Sequence, residues 1–329
     1  MFRYFWFVTL GLSLLWSLAY AADLPGIPQF INEMVEKHQF KRDELVLTFQ
    51  RAEYRPDVIA AITAPATIKP WVEYRAAFIN PVRIEGGVEF WKQYATTLKR
   101  AEQQYGVPQE IIIAVIGVET LYGRRAGKFR TLDALTTLAF DYPRRAEFFR
   151  NELAEYLLLA REQEFNLLEI KASYAGALGV PQFMPSSYRK YAVDFNANGK
   201  IDLLREPEDA IGSVANYLKQ YGWKTGEPIA QQAMLRNKDV PVSGAASRSL
   251  AAWAEAGVIP LVKPQGTVPP AWLLDFTVEP GKEYWLTYNN FRVITLYNNS
   301  NFYAMSVFQL AAALRAAYRV KGASINPKL

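Results

Sequence analysis

Residues 111–123, IIIAVIGVETLYG, put Ile111, Ile112, Ile113, Val115, Ile116 and Val118 around a helix that has no polar face. A helix apolar on every side belongs in a core. Pro108 is expected in its first turn, where a missing N–H costs nothing, and Gly123 at its C-terminal stop. Upstream, residues 24–50 carry apolar positions at helical spacing, with Phe30, Met34 and Val35 on one stripe. Residues 86–105 do the same through Trp91, Tyr94 and Leu98. Between them, prolines at 56, 65, 70 and 81 predict irregular chain over 55–85, with one short helix in PWVEYRAAFI.

Downstream, two helical patterns flank DYPRR within 131–168, and the second, AEFFRNELAEYLLLAREQEF, is long and amphipathic. Residues 173–190 read as a glycine-, serine- and proline-rich loop leading into a short helix, and 208–221 as another helix. From about 224 β-favouring runs alternate with turn residues, as in GTVPPAWLLDFTV and GKEYWLTYNN, around a short helix in SRSLAAWAEAGV. A closing helix covers roughly 302–319. The pattern predicts a mostly α protein with a small mixed region, and no internal repeat or low-complexity segment.

The first residues follow a different logic. Arg3 precedes an apolar stretch to Leu18, and Ala19-Tyr20-Ala21 is a small-x-small cleavage pattern. A secretory signal over 1–21 is expected, cut before Ala22, which makes the periplasm the expected location; an uncleaved anchor is the alternative. The chain has no cysteine, so it carries neither disulfides nor a lipidated N-terminal cysteine. No stable membrane anchor is expected. The net charge is +5, and Arg3 is the only charge in the leader. That balance is mild, with basic clusters no longer than Arg124-Arg125 and Arg144-Arg145. An acidic polymer suits it as a partner and nucleic acid does not.

With His38 as the one histidine, serine or cysteine triads and zinc sites have no support. There is no phosphate-binding glycine loop either. Chemistry is left to carboxylates, hydroxyls, amides, arginines or a hard metal ion. Glu119 stands out, because it ends the all-apolar helix. Desolvation and the negative end of the helix dipole both favour its protonated form. A carboxyl kept protonated near neutrality is what general acid catalysis at a glycosidic oxygen needs. A structural glutamate paired with Arg124 or Arg125 is the competing reading.

DFNANGKID, residues 194–202, resembles a calcium loop. Asp194, Asn196 and Asn198 take alternate positions, Gly199 supplies the turn and Lys200 its carbonyl. Position twelve, normally glutamate, is Arg205, so the closing carboxylate falls to Glu208 or Asp209 at the start of the next helix. A plain Asn-Gly turn is the alternative. YNNSNFYAM, residues 297–305, offers Tyr297, Asn298 and Tyr303 at the entry of the last helix, a weak signal alone.

Together GVETLYG (117–123), SYAGALGVPQFMPSSY (173–188), the calcium-like loop with DAIGSVANYLKQYGW (209–223) and LYNNSNFYAM (296–305) resemble the bacterial lytic murein transglycosylases of the B type. The resemblance implies a lysozyme-like catalytic core over 99–225, a helical region over 22–98, a small mixed insertion over 226–295, and a cleft-lining turn and C-terminal helix over 296–329 packing on the helical region. It implies that Glu119 is the single catalytic acid/base. Ser173, Gln182, Tyr297, Asn298 and Tyr303 would line the glycan cleft, with Tyr74 on the same wall. Arg144 and Arg145 would meet the peptide stems. A structural calcium ion would be held by Asp194, Asn196, Asn198, the Lys200 carbonyl and Asp209, with no organic cofactor. The implied reaction cleaves the β-1,4 bond between N-acetylmuramic acid and N-acetylglucosamine and closes a 1,6-anhydro ring without water. The implied partner is peptidoglycan, with cell-wall synthases as candidates, and a monomer is expected. A lysozyme-like murein hydrolase and a non-catalytic wall-binding protein are the alternatives. Asp133 and Asp141 are the candidates for a second carboxylate if the enzyme is a hydrolase.

Overall fold

The computed structural model describes residues 24–64, 69–237, 240, 242, 246–264, 266 and 268–324; the leader assigned to 1–21 lies outside them. The N-terminal half is helical: α1 (Ile27–His38), α2 (Arg42–Gln50), α3 (Pro56–Thr63), α4 (Trp71–Phe78), α5 (Pro81–Gln93), α6 (Ala95–Tyr105) and α7 (Gln109–Thr120). After the short strand β1 (Phe129–Arg130) come α8 (Thr131–Asp141) and α9 (Ala146–Glu162), then β2 (Lys171–Ala172), α10 (Pro185–Tyr191) and α11 (Pro207–Gln220).

Four strands follow, β3 (Ala230–Leu235), β4 (Val258–Pro260), β5 (Trp272–Thr277) and β6 (Lys282–Thr287), with α12 (Leu250–Glu255) between β3 and β4. They form an antiparallel sheet in the order β4-β3-β6-β5. The chain closes with α13 (Asn289–Tyr297) and α14 (Asn301–Ser324). No helix among the described residues is long and apolar enough to cross a membrane.

Pro56, Pro70 and Pro81 begin helices where irregular chain was expected, and Pro65 lies outside the described residues. Pro56 and Pro81 occupy first-turn positions and Pro70 is an N-cap, all places where proline's fixed φ helps and its missing N–H is not needed. The single patterns over 24–50 and 86–105 are each two helices. Gln39 turns left-handed (φ 58°) after α1, and Tyr94 separates α5 from α6. Pro108 is the N-cap of α7, one residue before its expected place.

The core explains the layout. Helix α7 is buried from Glu110 to Val118 and packs against α14, α11, α5 and α6. Helix α14 gives it a stripe, Tyr303, Val307, Leu310, Ala311 and Leu314, at helical spacing. Trp71 of α4, 1% exposed, meets Phe276 of β5 at 4.8 Å and Phe302 of α14 at 5.2 Å. These contacts join the N-terminal helices, the sheet and the last helix at one point. The sheet also has its own smaller core of Ala233, Trp253, Val258, Ala271, Leu273, Leu286 and Tyr288.

Candidate active site

Glu119 lies in the last turn of α7, one residue before the helix ends. Its Oε1 accepts a hydrogen bond of 2.6 Å from the Tyr303 hydroxyl in the first turn of α14. Burial pushes its pKa from 4.5 up to about 7, partly offset by the Tyr303 bond, which favours the charged form. Among the described residues no arginine or lysine pairs with it. Arg124 instead reaches Glu89 on the surface at 3.8 Å. The structural ion pair weighed against catalysis is therefore not formed.

Aromatic hydroxyls surround the carboxyl. The Tyr297 ring stacks on Tyr303 at 6.3 Å and 11°, and its hydroxyl donates to the Pro181 carbonyl at 2.6 Å. Tyr74, one turn beyond Trp71, is desolvated and feels the Glu119 charge, and both effects raise its pKa. Burial and then Glu119 also hold Tyr297 and Tyr303 well above the usual phenol range. All three are thus neutral donors near neutrality. Tyr303 meets Glu119 because α14 packs along α7, and Tyr74 of α4 and Tyr297 at the end of α13 come near because both of those helices pack on α14.

The helix stops without the expected glycine. Leu121 and Tyr122 take left-handed conformations (φ 52° and 61°) before Gly123 (φ 85°). Such residues cost about 1–2 kcal/mol each. The Tyr122 side chain holds the turn. Its hydroxyl donates to the Arg83 carbonyl at 2.7 Å, and its ring lies in a slot walled by Gly86, Gly87 and Gly117, where a Cβ on Gly117 would be 2.6 Å from the tyrosine oxygen. Thr120 adds a second tie, accepting from Gly123 N–H at 2.9 Å and donating to the Val180 carbonyl at 2.8 Å.

The Thr120 bond brings in the 173–183 loop. Gln182, left-handed at φ 53°, donates through Nε2 to the carbonyls of Ala126 and Gly179, each at 3.0 Å. Ser173 Oγ accepts from Ala177 N–H at 3.1 Å and stays partly exposed. Asn298 is exposed at the end of α13. Arg144 and Arg145 lie exposed on the turn between α8 and α9, with Arg145 stacked 4.1 Å from the Phe148 ring. Among the described residues none of these five forms a hydrogen bond or ion pair with Glu119, whose partner is Tyr303. Asp133 is engaged by Glu53 N–H at 2.9 Å and Arg130 Nε at 2.7 Å, and Asp141 by the Tyr54 hydroxyl. Both carboxylates have structural partners elsewhere, and neither reaches Glu119.

A protonated carboxyl among neutral tyrosines, at the mouth of a buried helix, can give and retrieve one proton. The family model for the transglycosylase SLT domain matches residues 24–312. The chain belongs to this transglycosylase family. It is 46% identical over 306 residues to membrane-bound lytic murein transglycosylase B of Escherichia coli, covering 90% of this chain and 84% of that protein. The E. coli lytic transglycosylase Slt35, solved in complex with calcium, superposes with a TM-score of 0.85 at 45% identity, over 90% of this chain and 94% of that one. SltB3 of Pseudomonas aeruginosa, solved with NAG-anhNAM-pentapeptide, gives 0.79 at 29% identity, over 88% and 79%.

In this transglycosylase the 194–209 loop is tied together by its own side-chain oxygens, which accept from backbone amides. Asp194 accepts from Asn198 N–H at 3.1 Å and Gly199 N–H at 2.7 Å. Asn196 Oδ1 accepts from Asn198 N–H, and Asn198 Oδ1 from Lys200 N–H. Asp209 is fully buried, and both of its oxygens are taken. Oδ1 accepts from Phe195 and Asn196 N–H and Oδ2 from Asp202 N–H. It braces the loop from inside.

The carboxylate facing Asn196 and Asn198 is Glu206, within 2.6 Å and 3.0 Å of their amide nitrogens. No three acidic, histidine or cysteine side chains converge among the described residues. The loop's oxygen donors are two carboxylates, two asparagines and a carbonyl, a set that fits a hard cation. Glu206 is position thirteen of the loop, so counting to twelve passed over it. Tyr122 was passed over because its slot is built from glycines on two helices.

Proposed function

We propose that the chain is a peptidoglycan lytic transglycosylase that cleaves the β-1,4 bond between N-acetylmuramic acid and N-acetylglucosamine and leaves 1,6-anhydromuramic ends. The observation that carries this reading is a carboxyl pushed to about 7 whose hydrogen-bond partner among the described residues is a tyrosine, with no second carboxylate beside it there. Glycosidases that use water generally employ a second carboxylate, as base or nucleophile. An internal hydroxyl needs none.

Tyr303 donates to Oε1, so Oε2 carries the acidic proton. Glu119 gives it to the bridging oxygen as the muramic C1–O bond breaks, and N-acetylglucosamine leaves with a free hydroxyl. The Tyr303 bond strengthens as the carboxylate forms, since a charged acceptor binds a donor more tightly. The 2-acetamido group of the muramic residue steadies the cationic C1. The 6-hydroxyl then closes on C1 and returns its proton to Glu119. Holding that hydroxyl in place supplies the proximity advantage. Gln182, Tyr297, Tyr74, Ser173 and Asn298 form the cleft wall in this reading, and Arg144 and Arg145 meet peptide stems.

Calcium, when bound, supplies charge that pins the loop to α11. Asp194, Asn196, Asn198, the Lys200 carbonyl and Glu206 would hold it, with Asp209 as the internal brace. Export to the periplasm follows from the leader pattern and from where this substrate lies. Glu119→Gln should abolish turbidity loss on purified murein, and wild-type digests should contain anhydro-ended muropeptides. Lysis by the variant, or reducing ends from the wild type, would overturn the assignment.

A further inference from the structure

Arg83, on α5, is a cation without a counter-ion among the described residues. Its Nε is buried without a hydrogen-bond partner, and among the described residues its guanidinium forms no ion pair. One face lies 5.0 Å from the Phe78 ring centroid. Burial disfavours its charged form, Tyr122 offsets part of that, and the like charge of Arg125 adds to it. Arg125 is exposed and likewise unpaired among the described residues, while the nearby Glu89 is engaged by Arg124 at 3.8 Å. Two guanidinium groups that repel each other and lack an acid are suited to an anion supplied from outside.

Their position ties them to Glu119. The Arg83 carbonyl accepts from Tyr122, and Arg125 N–H donates to the Thr120 carbonyl at 2.9 Å, so both arginines flank the left-handed turn that follows the catalytic helix. Phe78, under Arg83, lies 5.0 Å from the Tyr74 ring, and Tyr74 senses the Glu119 charge.

We infer that Arg83 and Arg125 form a carboxylate subsite at the rim of the Glu119 cleft, which takes an anionic substituent of the glycan strand. The inference rests on the cleft being a glycan cleft. It adds a site separate from Arg144 and Arg145, which lie on the α8–α9 turn. Two parts of murein carry the required carboxylate: the lactyl group of a muramic residue stripped of its peptide, and the free carboxylates of the stem.

The test is calorimetric binding by the mature chain, wild type against Arg83→Gln and Arg125→Gln, with Arg83→Lys and Arg125→Lys as charge-keeping controls. The probes are a disaccharide-pentapeptide, the stem-free disaccharide with its lactyl carboxylate, and a neutral N-acetylglucosamine tetramer. Each glutamine variant should bind an anionic probe about tenfold more weakly, the loss of one charge-assisted hydrogen bond. The lysine variants should retain most of the affinity. With the stem-free probe, added salt should weaken binding by the wild type and leave a variant carrying both glutamines nearly unmoved.

Arginine dependence on the stem-free probe names the lactyl group as ligand; dependence only on the pentapeptide probe names the stem. Unchanged affinity for both, or an equal loss on the neutral tetramer, overturns the subsite. Binding is read without turnover. A failed transglycosylase assignment therefore shows in the reaction products, and a failed subsite shows here.

Discussion

Glu119→Gln keeps the side chain's shape and removes its ionisation. In the unfolded chain the carboxyl loses its proton near 4.5; in the folded chain it keeps it to about 7. Between those values the unfolded state sheds a proton that the native state retains, so native stability falls as pH rises. The folded chain has its full stability below 4.5 and the whole penalty above 7. At 1.36 kcal/mol per pH unit the penalty is about 3 kcal/mol. Glutamine carries none of it, and its carbonyl can still accept from Tyr303. Urea unfolding of wild type and variant, run side by side from pH 4 to 8.5, isolates this one group. The variant should match the wild type at pH 4 and exceed it by about 3 kcal/mol at pH 8. A difference that stays constant over that range would mean the carboxyl titrates normally, and the account of its acidity would fall.

Tyr303→Phe removes the bond that favours ionised Glu119. A bond to a charged group is worth about 1.5–3 kcal/mol, so the alkaline limb of the rate profile should move up by roughly 1–2 pH units while the rate itself drops. Gly117→Ala forces a methyl into the Tyr122 slot. Unfolding should show a loss of about 1–3 kcal/mol, with reduced murein lysis as the turn beside Glu119 shifts. Calcium at a hundredfold excess over its dissociation constant should stabilise the wild type by about 2.7 kcal/mol in thermal scans, and Glu206→Ala should erase most of that gain. A gain that survives in Glu206→Ala and vanishes in a variant of Asp209 would restore Asp209 as the ligand.

Much of the site could be read before the structure. A glutamate ending a run of six branched aliphatics announces a desolvated acid, because nothing along that helix can solvate it. Three tyrosines around it could not be placed from local pattern. Positions 74, 297 and 303 converge through the packing of α4 and α13 on α14, and of α14 on α7, and that is a tertiary event. Helix α13 escaped notice because Val293, Ile294 and Thr295 favour strand and asparagines flank it; burial of Phe291, Val293 and Ile294 decides for helix. Helix α3 was hidden by Pro56, which reads as a breaker in the sequence and is a starter in the fold. At 194–209 the polar side chains of the loop were legible, but not that Glu206 is the carboxylate facing Asn196 and Asn198 while Asp209 bonds backbone amides.

The central claim is that one carboxyl moves one proton and water takes no part. Digesting purified murein in water enriched in oxygen-18, then weighing the released muropeptides, tests it directly. The account expects 1,6-anhydro ends with no heavy oxygen at C1, at every time point. Reducing ends carrying oxygen-18 as first products would show that water attacks, and would contradict it.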